Sequence, residues 1–282
     1  MQCKENITII YHAHPSGKED KQSTPIFGVQ MHRIGLLGCG NIGEIIAHKR
    51  EGFIITALYD AVYARAVAMQ DVCGAPAYES FDEFLAQDMD IVVEAASVAA
   101  VEAHAEAILL AGKDLVTLSV GALTDDQFRN RLKACATQTG KKIYIPSGAI
   151  AGLDNLKVCQ IAEVSKILLR TTKNPHSLGI ETDSPTLLFQ GTARDCIRRY
   201  PKNINVAVAI ELASGHETEV ELWADPNTDR NTHELFIEGE FGDITIKVSN
   251  RPSPENPATS YLAALSVLSL LRNLDNPIQI GT

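Results

Sequence analysis

The sequence predicts an α/β chain in two unlike halves: a parallel sheet wound with helices, then an α+β half on a mixed or antiparallel sheet. Three features carry that expectation. From Arg33 to Ile145 short apolar runs alternate with helical segments, the pattern of βαβ units. Beyond about residue 150 the strands take a period of two and a tight turn joins them, which belongs to antiparallel pairing. Between the first strand and the first helix lies Gly38-x-Gly40-x-x-Gly43.

Taken in order, Ile34–Leu37 reads as the first strand, and a helix follows the glycines to about Glu51. Ile54–Tyr59 is the second strand, closed by Asp60, with helices over Ala61–Asp71 and Phe81–Ala86. Ile91–Val93 is a strand, and Ser97 caps a helix that runs to Leu110 and stops at Gly112. Leu115–Leu118, a helix over Asp125–Thr139 and the strand Lys142–Ile145 complete this half. The second half is expected to hold a helix over Leu153–Val164, a strand over Lys166–Lys173 and a helix over Asn203–Ser214. Strands follow over Glu217–Ala224, Thr232–Glu240 and Asp243–Ser249, the last two turning at Phe241-Gly242. A proline-rich loop leads to a final helix, Ser260–Asn273. The expected division is a poorly ordered tail over 1–31, a dinucleotide domain over 32–150, a catalytic and dimerisation domain over 151–259, and 260–282 packing back on the first domain.

Composition narrows the function. With 35 acidic against 25 basic residues the formal net charge is −10, and no basic cluster offers a nucleic-acid footprint. No uncharged apolar run is long enough to span a membrane. The six cysteines form no C-x-x-C pair, so neither a zinc site nor a redox motif is expected. His12-x-His14 lacks a third ligand. The expectation is a soluble, cytoplasmic enzyme without a metal.

Strand, glycine loop, helix, and an acid closing the second strand form the complete context of a Rossmann fold. Gly38 permits the turn, Gly40 admits a pyrophosphate, and Gly43 lets helix and strand pack closely. Asn41 and Ile42 complete the loop, whose helix N-terminus faces the anion. Asp60 would accept hydrogen bonds from the adenosine ribose and repel a 2′-phosphate, favouring NAD over NADP. At the carboxyl ends of later strands, Glu94-Ala95-Ala96-Ser97, Ser119-Val120-Gly121-Ala122 and Ser147-Gly148-Ala149 are small enough to leave room for a flat nicotinamide ring and a substrate. On the strand Thr232–Glu240, His233 shares the apolar face with Leu235 and Ile237, either as a core residue or as a buried acid/base. Lys202 and Asn203, beside the start of an apolar helix, make either a carboxylate site or a helix cap.

The chain from His32 onward resembles L-aspartate dehydrogenase, in its short archaeal and bacterial form. The resemblance rests on G-L-L-G-C-G-N-I-G (35–43), V-E-A-A-S (93–97), L-S-V-G-A (118–122), I-P-S-G-A-I-A-G-L-D (145–154), P-K-N-I-N-V-A (201–207), N-T-H-E-L (231–235), G-E-F-G (239–242) and N-R-P-S-P-E-N-P-A-T-S-Y-L-A-A-L-S (250–266). It implies a homodimer that oxidises L-aspartate with NAD, or NADP, to iminoaspartate, which water converts to oxaloacetate and ammonia or which enters pyridine nucleotide synthesis. It further implies His233 as the acid/base, with Ala122 and Asn203 as cofactor contacts. Two alternatives stand beside it: a related reductase acting on homoserine or a dihydrodipicolinate-like imine, and a non-catalytic NAD sensor.

Overall fold

Apolar residues on both faces of β1 (His32–Leu37) require helices on both sides of the sheet, and a computed structural model has this arrangement. It describes residues 31–200, 205–253 and 260–281. The expected tail, together with Lys202 and Asn203, lies outside the described residues.

The chain continues through α1 (Asn41–His48), β2 (Phe53–Tyr59), α2 (Tyr63–Cys73), β3 (Ala77–Tyr78), α3 (Phe81–Leu85), β4 (Ile91–Glu94), α4 (Val98–Leu110), β5 (Asp114–Thr117), α5 (Asp126–Thr139) and β6 (Ile143–Tyr144). These six strands form a parallel sheet in the order β3-β2-β1-β4-β5-β6, so the winding reverses between β1 and β4. Ser97 caps α4 as expected, its hydroxyl accepting from the Ala100 N–H. One face of the sheet packs Ile34, Leu36 and Ile55 against Ile46, Ala47, Ala66 and Met69 of α1 and α2. The other packs Leu37, Val92 and Leu115 against Val101, Ile108, Phe128 and Leu132 of α4 and α5.

A second sheet follows, built from β7 (Val164–Lys173), β8 (Thr186–Thr192), β9 (Glu219–Ala224), β10 (Asn231–Gly239) and β11 (Gly242–Asn250). Its order is β11-β10-β7-β9-β8, with β7 and β9 parallel and the other pairs antiparallel. Helices α6 (Pro175–Leu178), α7 (Ala193–Arg199) and α8 (Asn205–Ser214) lie between strands in sequence, and α9 (Tyr261–Asn273) ends the fold. Alternation on β7 and β10 turns Ile167, Leu169, Leu235 and Ile237 inward onto Ala193, Cys196, Ala207 and Ile210. Helix α8 joins the two cores, since its Val208 and Ala209 pack with the parallel sheet's residues. Helix α9 returns to the first half and sets Val267, Leu268 and Leu271 into the core beside α1.

Two expectations need correction. The segment read as a helix over Leu153–Val164 forms only a 3₁₀ turn, Asn155–Gln160. Its buried residues Leu156 and Cys159 are three apart, a spacing that a 3₁₀ turn satisfies, while Ile161 stands 88% exposed where a longer helix would need a contact. The hairpin turn lies at Glu240-Phe241, one residue earlier than expected, because Gly242 already pairs with Gly239. Gly242 adopts φ +104°, which explains why a glycine stands there.

Candidate active site

The glycine loop sits at the winding reversal, where an open parallel sheet takes its ligand. Gly38 has φ +104°, and a side-chain carbon there would lie 2.8 Å from the Ala95 backbone and the Ala96 methyl. A carbon on Gly43 would collide with the Gly38 carbonyl, so α1 can approach β1 only with glycine. Among the described residues nothing lies within 4 Å of where a side-chain carbon on Gly40 would stand, and Gly40 caps α1 without a side chain. The first N–H groups of α1 are thus left to an external anion. Asn41 adds a further group: its Oδ1 accepts from the Ser253 hydroxyl at 2.8 Å, while its Nδ2 is buried with no hydrogen-bond partner among the described residues. An orphaned donor beside an open glycine cradle fits a dinucleotide's phosphates and sugars. Ile42 packs on the core beneath.

Asp60 closes β2 nearly buried, its oxygens accepting from the Cys39 and Val62 N–H groups, each at 2.8 Å. The carboxylate therefore ties the glycine loop to β2, and each oxygen keeps a lone pair for a ribose hydroxyl. Cys39 is no nucleophile, since burial, with Asp60 adding to it, pushes its thiol up to about 12.

Across the crevice, Ala96 and Ser97 are exposed after β4. Ala122 lies in the 3₁₀ turn Val120–Thr124 and is 1% exposed, so only its backbone can meet a ligand. That turn is held to α8 by the Gly121 N–H, which donates to Asn205 Oδ1 at 3.1 Å. Ser147 and Gly148 follow β6, and the Gly148 N–H donates to Ser266 Oγ of α9 at 3.0 Å.

The second sheet meets this crevice with its polar end. Along the inward face of β7 and β10 the cross-strand pairs run Ile167/Ile237, Leu169/Leu235 and Thr171/His233, and two residues further along each strand's same face stand Lys173 and Asn231, so the face turns from apolar to polar. Asn250 of β11 pairs with Asn231 and donates from Nδ2 to the Ala149 carbonyl at 2.8 Å, joining this end to the loop after β6.

His233 is buried, with Nδ1 3.0 Å from the Thr171 hydroxyl, which leaves Nε2 for another partner. Burial, reinforced by the nearby Lys173 ammonium, lowers its pKa to about 3, so the imidazole is neutral. Burial likewise lowers Lys173 to about 8. Lys173, Thr171 and Asn231 were not read from the sequence as site residues. A register argument pairing β7 with β10 would have found them, because it sets all three on the face that carries His233.

Residues 35–146 match the family described as homoserine dehydrogenase, NAD binding domain, and residues 154–274 that described as aspartate dehydrogenase, C-terminal. L-aspartate dehydrogenase of Methanospirillum hungatei is 58% identical over 252 residues, covering 89% of this chain and 100% of the relative. The Methanocaldococcus jannaschii enzyme of the same name is 39% identical over 267 residues, with the same coverage. The crystal structure of aspartate dehydrogenase from Thermotoga maritima superimposes with a TM-score of 0.75 at 30% identity, over 89% of this chain and 100% of that one. The second half carries the aspartate dehydrogenase description. With full-length relatives of one kind and the sheet that bears His233 matching that kind, the chain belongs to the L-aspartate dehydrogenase family.

Proposed function

We propose that the protein catalyses the NAD-dependent oxidative deamination of L-aspartate. The observation that carries the reading is a neutral, hydroxyl-oriented histidine beside a buried lysine, at the one end of the second sheet that faces the dinucleotide crevice. The reaction balances as L-aspartate and NAD⁺ giving iminoaspartate, NADH and a proton. Water then adds to the imine carbon and ammonia leaves, giving oxaloacetate. When bound, the nicotinamide supplies the two-electron hydride acceptor.

The protein's own part is proton handling and orientation. Aspartate loses its α-hydrogen as hydride only when its amine is neutral, so the ammonium proton must first depart. His233, neutral and with Nε2 open, is the group to take it, and later to draw a proton from the attacking water. Its low basicity, set by burial and the Lys173 ammonium, suits a dianionic substrate, whose charge offsets that of Lys173 and makes the imidazole a better base. Lys173 holds one substrate carboxylate, with Lys202 assigned to the other. Ser147 and Gly148 border the substrate; Gly38, Gly40, Asn41, Gly43, Asp60, Ala96, Ser97, Ala122 and Asn203 border the cofactor. Asp60 disfavours a 2′-phosphate, which makes NAD the preferred form. Iminoaspartate would be available to pyridine nucleotide synthesis.

We also assign a homodimer through the outward face of the second sheet. There Leu168, Phe236, Trp223 and the 40% exposed Leu187 stand among the Arg170–Glu221, Lys166–Glu238 and Lys247–Glu234 pairs, a mixed apolar and charged surface suited to a second copy.

Purified protein given NAD⁺ and a panel of amino acids should form NADH with aspartate, faster at alkaline pH, and not with homoserine. His233→Ala should lower turnover by roughly two to four orders of magnitude while NAD⁺ affinity stays unchanged. Activity on homoserine alone would replace the substrate, and full turnover in the His233 variant would remove the mechanism.

A further inference from the structure

Glu94 ends β4 at the winding reversal, fully buried, and its side chain reaches across to the end of β5. One oxygen accepts from the Ala96 N–H at 2.8 Å and the Ser119 hydroxyl at 2.7 Å. The other accepts from the Thr117 hydroxyl at 2.8 Å, the Ser119 N–H at 3.0 Å and the Leu118 N–H at 3.2 Å. All five partners are neutral, and no ion pair with Glu94 forms among the described residues. The charge is solvated by dipoles without being cancelled, inside a region of low polarisability where its field carries far.

Three backbone N–H groups converge on its two oxygens, which calls for an acceptor-only carboxylate, so the shell that anchors these loops also fixes a charge at the end of β4. Burying a carboxylate is costly even when it is fully hydrogen-bonded. The place of this charge suggests a use for it. Asp60 at the end of β2 takes the adenosine side of a dinucleotide, and the glycine loop at β1 takes the phosphates. The other nucleotide is left with the ends of β4 and β5, over Glu94. Only one substituent there changes charge during the reaction: the nicotinamide ring is a cation when oxidised and neutral when reduced.

We propose that Glu94 sets the redox preference of the bound cofactor, its buried charge favouring the oxidised nicotinamide over the reduced one. Product NADH is thereby loosened relative to NAD⁺, which suits release after aspartate oxidation. The proposal rests on the nicotinamide dinucleotide occupying this crevice; it needs no aspartate, so its failure is distinct from failure of the substrate assignment.

The test is equilibrium binding of NAD⁺ and NADH, by calorimetry and nucleotide fluorescence, with no substrate present. Glu94→Gln should weaken NAD⁺ by about tenfold relative to NADH, as expected for removal of one nearby charge. Thr117→Val, which removes one donor from the same shell but keeps the charge, should move both affinities together and leave their ratio unchanged. An unchanged ratio in folded Glu94→Gln, or a tenfold change of the ratio in Thr117→Val as well, would overturn the proposal. The unaltered protein gives a second measure that requires no variant to fold. The benzamide analogue of NAD⁺ keeps the ring's shape without its charge, and should bind about tenfold more weakly than NAD⁺. Equal binding of the two would also overturn the proposal.

Discussion

Burial sets the charge of Lys173 against folding. Its amine ionises near 8 when folded, against 10.5 when unfolded, because burial disfavours the charge. The unfolded chain therefore holds more of this proton between those values, and stability rises with pH across that window. Below about 8 the penalty is present in full. Lys173→Met should lose the rise, on the order of 2 kcal/mol, that the parent shows between pH 8 and 10 in urea unfolding. The same variant should bind aspartate poorly. A large drop in stability at pH 7 would show that the lysine holds the fold together. Such residues explain why the site was only partly legible in the sequence. His233 stood out because a histidine on an apolar face contrasts with Leu235 and Ile237. Lys173 did not, because a lysine ending a strand reads as solvent-exposed until its neighbour Asn231 is known. Glu94 was noticed only as part of a small-residue run, since nothing in V-E-A-A-S says that five donors will converge on one carboxylate.

At the scale of elements, the strand–loop–helix unit over β1 and α1 divides its labour between two glycines. Gly43→Ala forces a methyl against the Gly38 carbonyl and should cost about 1–3 kcal/mol of stability in thermal unfolding. Gly40→Ala fills empty space and should leave the melting temperature nearly unchanged while weakening NAD⁺ binding. If both variants lose stability alike, the open space at Gly40 is structural and does not serve the phosphates. The glycine spacing is legible in the sequence because Gly38 and Gly43 answer steric demands of the fold itself. Elements lacking such a demand were missed. Strand β3 has two residues. On β8 the pairing is irregular between Leu187 and Phe189, and that break destroys the period of two on which strand recognition depends. Helix α7 left a usable sign: Thr192 and Asp195 stand three apart, and the Thr192 hydroxyl does accept from the Asp195 N–H.

Over the whole molecule, the chain leaves the parallel sheet after β6, builds the second sheet, and returns as α9 to finish the first core. Removing residues 260–282 should uncover Ile34, Leu36, Ile46 and Phe53 where Val267, Leu268 and Leu271 now cover them. The shortened protein should aggregate or lose NAD⁺ binding, although the glycine loop and Asp60 are intact; a soluble product that binds NAD⁺ normally would show that α9 is dispensable. The return of α9 also has a consequence in time. A ribosome adds about 5–20 residues per second, so on the order of ten seconds separates the emergence of β6 from that of α9. Throughout that interval the dinucleotide half has all its strands and an uncovered apolar flank. Its core can close only once α9 has followed the second sheet out, so the half that emerges first is completed after the half that emerges second.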